Sequence, residues 1–235
     1  MAEEDEKNRR KGEALFPEHK SLPFLMERRA LMTQAGWESE YQQNPITVGG
    51  GIFPIEKFKI VPALNRSEIK RSARYWDKAG TRDGGAFTAG VLMHQMKDGT
   101  YVVGDVRRGQ WSALERERII KQTAEVDGEA PFIWIEQEPG SGGKESAEAT
   151  VRMLAGWSVR ADRVTGSKEV RADPYAAQVQ AGNVSLLAGD WNTAFINEHE
   201  AFPTGKFKDQ VDAASGAFNK LASKYRYDST LAWVS

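Results

Sequence analysis

Ala73-Arg-Tyr-Trp-Asp77 is a short aromatic run that ends on a carboxylate, and Lys78-Ala-Gly-Thr81 then turns the chain. It reads as a strand leaving the core at Asp77, with Asp83-Gly-Gly85 in the turn beyond it. Phe132-Ile-Trp-Ile-Glu136 repeats the arrangement: Ile133-Trp-Ile135 has no polar alternation, as in a central strand covered on both faces, and Glu136 closes it. Phe207-Lys-Asp209-Gln-Val-Asp212 places a third acid where a helix opens. Convergence of these places around metal ions is the central expectation.

Working outward, Ala86 to Met96 and Thr100 to Val106 read as strands joined by Lys97-Asp98-Gly99, a hairpin turn signal. Ser112 is placed to cap a helix running to Val126, with Leu114, Ile119, Ile120 and Ala124 as its inner stripe. Beyond Glu136 the pattern predicts a helix over Glu145 to Ala155, a strand over Ser158 to Ala161, and a helix over Asp173 to Ala181 with Pro174 first. A strand at Val184 to Ala188 and helices at Trp191 to Glu200 and Asp209 to Ser223 follow, the last burying Val211, Ala214, Phe218 and Leu221. Three consecutive strands followed by alternating helices and strands predict an α/β fold: a mixed sheet, antiparallel then parallel, flanked by helices.

Toward the N-terminus, residues 1 to 20 read as a charged arm. Leu22 to Met32 has helical spacing after Ser21, and Gly36 to Pro45 begins as a second short helix. Thr47 to Phe53 is a glycine-rich connector, and Phe58 to Pro62 is extended. Residues 1–62 are therefore expected to form an arm and linker packed on a main domain of residues 63–235.

With 40% hydrophobic residues, 7 Trp and 10 Phe, the chain has material for a sizeable core. Its 32 basic and 33 acidic residues give a net charge of -1, so any nucleic-acid contact rests on local patches. The lack of cysteine excludes disulfides, zinc–thiolate sites and cysteine nucleophiles. No apolar run approaches the roughly 18 residues of a membrane span. The charged start lacks a signal peptide's apolar stretch, so a soluble, intracellular chain is expected.

An acid at the end of an apolar strand is ordinarily a residue entering solvent. If Asp77, Glu136 and Asp209 meet, however, their mutual repulsion demands a cation. Oxygen-only donors select hard ions such as Mg²⁺ or Mn²⁺, the agents of phosphodiester hydrolysis. Asp83 and Asp212 are second candidates as ligands; their plain readings are a turn residue and a solvated helix position. Glu138-Pro-Gly-Ser-Gly-Gly-Lys144 resembles a phosphate-binding loop, but Glu145 stands where such a loop needs Ser or Thr. Nucleotide binding is rejected there, and the stretch reads as a loop giving access to the Glu136 strand end. His19, His94 and His199 have no triad spacing and read as structural or exposed. Basic pairs occur at Arg107 and Arg108, Arg160 and Arg163, Lys168 and Arg171, and Lys206 and Lys208. Most such pairs are solvated surface, but Lys168 and Lys206/Lys208 are expected in loops where phosphate oxygens need counter-charge.

Several of these segments together resemble the C-terminal nuclease domain of tailed-phage terminase large subunits, the DNA-packaging motors. The resemblance runs over Gly12-Glu-Ala-Leu-Phe-Pro17, Trp37-Glu-Ser-Glu-Tyr-Gln-Gln-Asn-Pro45, Gly50-Gly-Ile-Phe53 and Tyr75-Trp-Asp77-Lys-Ala-Gly-Thr81. It continues through Ile135-Glu136, Ala176-Ala-Gln178, Ala181-Gly-Asn183 and Phe202-Pro-Thr-Gly-Lys-Phe-Lys-Asp209-Gln-Val-Asp212-Ala. It implies a ribonuclease-H-like fold and endonucleolytic cutting of concatemeric double-stranded DNA with two Mg²⁺ or Mn²⁺ ions. Asp77, Glu136 and Asp209 match the family's acidic triad and Asp83 an auxiliary acid. Phe207-Lys208-Asp209 departs from the family's frequent His-Asp-Asp, leaving it open whether Asp212 completes the site. Lys168, Arg171, Lys206, Lys208, Arg107 and Arg108 are the DNA-contacting candidates. The implied partners are duplex DNA, the portal protein, the small terminase subunit and an N-terminal ATPase domain, with no nucleotide bound here and no membrane. The implied location is the host cytoplasm during phage assembly. The rivals are a Holliday-junction resolvase-like nuclease and a non-catalytic DNA- or portal-binding module.

Overall fold

A computed structural model describes residues 17–32, 37, 40–41, 51–78 and 85–223. Asp83, most of the helix expected at Gly36 to Pro45, and the arm before Pro17 lie outside the described residues.

Seven strands form one sheet in the order β1-β7-β4-β3-β2-β5-β6. They are β1 (Lys59–Val61), β2 (Ile69–Asp77), β3 (Thr88–Met96), β4 (Tyr101–Gly109), β5 (Pro131–Gln137), β6 (Val159–Arg163) and β7 (Val184–Leu187). β2 to β4 run antiparallel, whereas β5 joins β2, β6 joins β5, and β7 joins β4 and β1 in parallel. The helices are α1 (Leu22–Ala30), α2 (Ala113–Asp127), α3 (Ser141–Met153), α4 (Lys168–Gln180), α5 (Asn192–Ala201) and α6 (Asp209–Ala222).

The alternation of β2 sorts the molecule into two layers. Ala73 and Tyr75 face a core built with Ala172, Tyr175 and Ala176 of α4, Phe195 of α5, and Val211, Ala214, Phe218 and Leu221 of α6. Trp76 faces the opposite core, with Ile133 and Ile135 of β5, Ile120 and Ala124 of α2, and Ala147 of α3. Successive strand side chains point to opposite faces, so Asp77 emerges on the α4/α6 side and Lys78 on the α3 side. α6 comes close to the sheet because Ala213, Gly216 and Ala217 offer little bulk: a Cβ on Gly216 would lie 2.5 Å from the Tyr75 ring.

Arg74 is buried in the sheet and carries its own counter-ions. Its guanidinium meets Asp127 at 2.7 Å and Asp105 at 2.8 Å and donates to the Gly90 carbonyl at 3.0 Å. The pairing also offsets the unfavourable placement of Asp127 at a helix C-terminus.

Several local expectations need correction. The stretch Phe58 to Pro62, read as merely extended, supplies β1, an edge strand parallel to β7, while Phe53 and Phe58 enter the core. Residues 51–61 of the expected linker are thus built into the sheet and core. Ser112 does cap α2, in a reciprocal box with Glu115, but Leu114 is 83% exposed. Six residues before Ile120, at about 100° per residue, it stands roughly 120° off the buried stripe. The glycine stretch after Glu138 is not an open loop: Gly140, at φ +95°, ends it and Ser141 already begins α3. α4 starts at Lys168, capped by Ser167, so Pro174 lies inside the helix and Lys168 in its first turn, not in a loop.

Candidate active site

The parallel register of β2 and β5 pairs Trp76 with Ile135, so one residue further on Asp77 and Glu136 leave the sheet side by side. β6 adds Asp162 beside Glu136. Above them the first turn of α6 brings Asp209 and Asp212, three residues apart and therefore on one side of the helix. The carboxylates of Glu136, Asp212 and Asp209 all act electrostatically on Asp77. Acids far apart in the sequence therefore lie within electrostatic reach of Asp77.

The turn that aims α6 is held from several directions. Glu198 of α5 accepts the Gln210 backbone N–H at 2.6 Å and its side-chain amide at 2.7 Å, capping a helix whose Lys208 offers no side-chain cap. The Phe87 backbone N–H donates to Asp209 at 3.0 Å, tying the helix to the start of β3. Phe207 meets Phe87 edge to face at 4.9 Å, and the Arg108 guanidinium lies 3.5 Å over the Phe87 ring and 3.5 Å from Glu198.

Cations from α4 reach between the acids. Arg171 contacts both Glu136 oxygens at 3.3 Å and Asp212 at 3.3 Å, while Lys168 is ion-paired with Asp212. Behind Glu136, the Tyr75 hydroxyl donates to Asp162 at 2.8 Å and lies 3.3 Å from Glu136; Lys220 closes on the other oxygen of Asp162. Five carboxylates are thus crowded against Lys168, Arg171 and Lys220 at one end of the sheet.

The electrostatics follow from that crowding. Burial, then the charges of Glu136, Asp212 and Asp209, raise the Asp77 pKa well above its ordinary value, with Lys168 opposing. Burial raises Glu136 against the pull of Arg171, and raises Asp212 against Lys168 and Arg171. Burial would depress Lys168, but Asp212, Asp77 and Asp209 hold it above the usual lysine value. Tyr75 is kept protonated far beyond a normal phenol by burial and by Glu136 and Asp162.

Among the described residues, no three acidic or histidine side chains stand together as a metal-holding group. The donor chemistry nonetheless suits a hard dication: every donor is a carboxylate oxygen, and the half-buried Asp77 is crowded by Glu136, Asp212 and Asp209, which penalise its charged form unless a cation offsets them.

The remaining candidates are distributed unevenly. Lys206 is exposed beside Phe207, and Lys208 is close enough to act on Glu169 in the first turn of α4. Arg108 lies on the acid side, but Arg107, 3.0 Å from Asp105, is on the opposite face. Asp83 lies outside the described residues. His94, bonded to Ser72 at 2.7 Å, and His199, bonded to the Phe195 carbonyl at 2.8 Å, are buried structural groups, and His19 is exposed. Tyr75, Asp162, Lys220 and Glu198 were not singled out from the sequence. Asp162 lies beyond the expected end of its strand at Ala161; β6 runs on to Arg163, and its register sets Asp162 beside Glu136.

A family model described as the terminase RNaseH-like domain matches residues 74–221. The crystal structure of the large terminase nuclease from thermophilic phage G20c is similar over 73% of this chain and 98% of that one, at 13% identity and a TM-score of 0.53. The same nuclease with bound magnesium gives 74%, 98%, 13% and 0.54, respectively. The large terminase nuclease domain of Thermus phage P74-26 gives 74% and 98% coverage, 13% identity and a TM-score of 0.50. No curated protein sequence matches.

Proposed function

The chain belongs to the terminase RNaseH-like domain family, and from that membership we propose that it is the metal-dependent nuclease of a phage DNA-packaging motor, cutting concatemeric double-stranded DNA. The observation that supports the reading is that Glu136, Asp209 and Asp212 come close enough to Asp77, at one end of the central strands, to act on its charge, with oxygen donors only.

Asp77, Glu136 and Asp209 would hold two Mg²⁺ or Mn²⁺ ions, with Asp212 and Asp83 as auxiliary ligands. Such ions, when bound, polarise the phosphate, make water a nucleophile near neutral pH and stabilise the departing 3′ oxygen. The protein's own contribution is positioning. Arg171 and Tyr75 fix the direction of Glu136, the Phe87 N–H fixes Asp209, and Glu198 fixes the helix that carries it. Lys206 and Lys208, beside Asp209, supply counter-charge to the phosphates flanking the cut, joined by Lys168 and Arg108, whereas Arg171, expected among the DNA contacts, is engaged with Glu136 and Asp212. Arg107, on the far face, would touch DNA only away from the cut. The portal protein, the small terminase subunit and an ATPase domain are the partners that a packaging role implies, in the host cytoplasm during assembly.

Supercoiled plasmid incubated with the protein tests the reading. Nicked and linear forms are expected with Mg²⁺ or Mn²⁺ and not with a chelator, and Asp77→Ala should abolish them. Full activity in Asp77→Ala would overturn the assignment.

A further inference from the structure

Glu136 and Asp212 already have cationic partners, and both partners come from one turn of one helix. Lys168 and Arg171 lie three residues apart in the first turn of α4, so they project together toward β5 and α6. Their footing differs. Arg171 is 15% exposed, holds Glu136 at 3.3 Å from both oxygens, and has its backbone carbonyl tied to Asn219 at 3.0 Å. Lys168 is 43% exposed and touches the cluster through its ammonium alone, on a long flexible stem. Lys168 has one carboxylate to release, whereas Arg171 is held by Glu136 and Asp212 together.

Asp212 is 1% exposed, and its two oxygens are taken by these two cations. A dication approaching those oxygens meets an ammonium in the same place, and two cations sharing one carboxylate repel each other strongly in a poorly solvated site. Occupancy by one therefore works against the other.

Resting on the nuclease reading above, we propose that Lys168 is an exchangeable internal counter-ion: it competes with divalent metal for Asp212 and, once displaced, turns outward to pair with a DNA phosphate. Arg171 stays behind as a positioning residue for Glu136. Because a phosphate gives Lys168 an alternative partner, DNA and metal binding reinforce each other, and the coupling is reciprocal. Metal capture is thereby made dependent on the presence of the substrate.

The test is Mn²⁺ binding by the full chain, followed by the electron paramagnetic resonance of free Mn²⁺, with and without a short duplex. Without DNA, Lys168→Met should bind Mn²⁺ about 5-fold or more tightly than the wild type, and Lys168→Arg should stay near wild type. The duplex should tighten Mn²⁺ binding in the wild type and do little in Lys168→Met. If Lys168→Met binds Mn²⁺ no better than the wild type while Asp77→Asn loses binding, the exchange is wrong and the metal site stands. If Asp77→Asn binds Mn²⁺ unchanged, the metal site itself is misplaced and the exchange falls with it.

Discussion

Asp77 gains nothing in fold stability from its charge. Its folded pKa lies above the ordinary 3.8, so the native state binds the proton more tightly than the unfolded chain does. The sign follows: the stability this carboxyl contributes is complete at low pH and is lost as pH rises from about 3.8 through the raised value. Asp77→Asn is therefore expected to raise the Tm near about pH 8 and to gain much less near about pH 4. Thermal unfolding in a chelator checks it, and a lower Tm at the higher pH would refute the crowding. Arg74 is a buried cation paired with the buried Asp127 and the partly exposed Asp105. Arg74→Ala should cost about 3–5 kcal/mol in chemical denaturation, since Asp127, only 6% exposed, would lose its counter-charge.

Helix α6 is the element that turns sheet geometry into chemistry. It carries Asp209 and Asp212 at its start, and its small residues let it lie against β2. Gly216→Ala would drive a methyl to within 2.5 Å of the Tyr75 ring, which is itself fully buried and cannot retreat. A loss of about 1–3 kcal/mol is expected from such overpacking. Weaker Mn²⁺ binding should accompany it, because the acid-bearing turn must lift; unchanged stability with unchanged metal affinity would contradict this. The helix was readable in advance: Val211, Ala214, Phe218 and Leu221 recur at helical spacing, and all are buried. The start of α4 was not, because Pro174 suggested a helix beginning there, whereas the cap is Ser167. That error placed Lys168 in a loop and concealed its pairing with Asp212.

Across the whole molecule, the succession of elements and the mixed sheet flanked by helices followed from local signals: apolar runs without alternation, one tight hairpin, and helices between the later strands; the strand order did not. The ends of three of these elements were visible as carboxylates. Which other residues would stand beside them was not, since pairing partners such as Asp162 and Glu198 depend on strand register and helix approach rather than on spacing within one segment. The same packing buries two neutral histidines. Burial, with the charge of Arg74 and against that of Asp127, depresses His94 from 6.5 to about 4; burial depresses His199 to about 3. The stability from keeping them neutral is complete above about 6.5 and lost as pH falls toward those values, so urea denaturation should weaken steadily over that window. His94→Asn should flatten the decline; an unchanged slope would show that His94 does not contribute.

The most direct measurement is anomalous scattering from a crystal soaked in Mn²⁺. Two peaks enclosed by Asp77, Glu136 and Asp209, with Lys168 withdrawn from Asp212, are predicted. Density elsewhere on the protein, or none beside Asp77, would contradict the account.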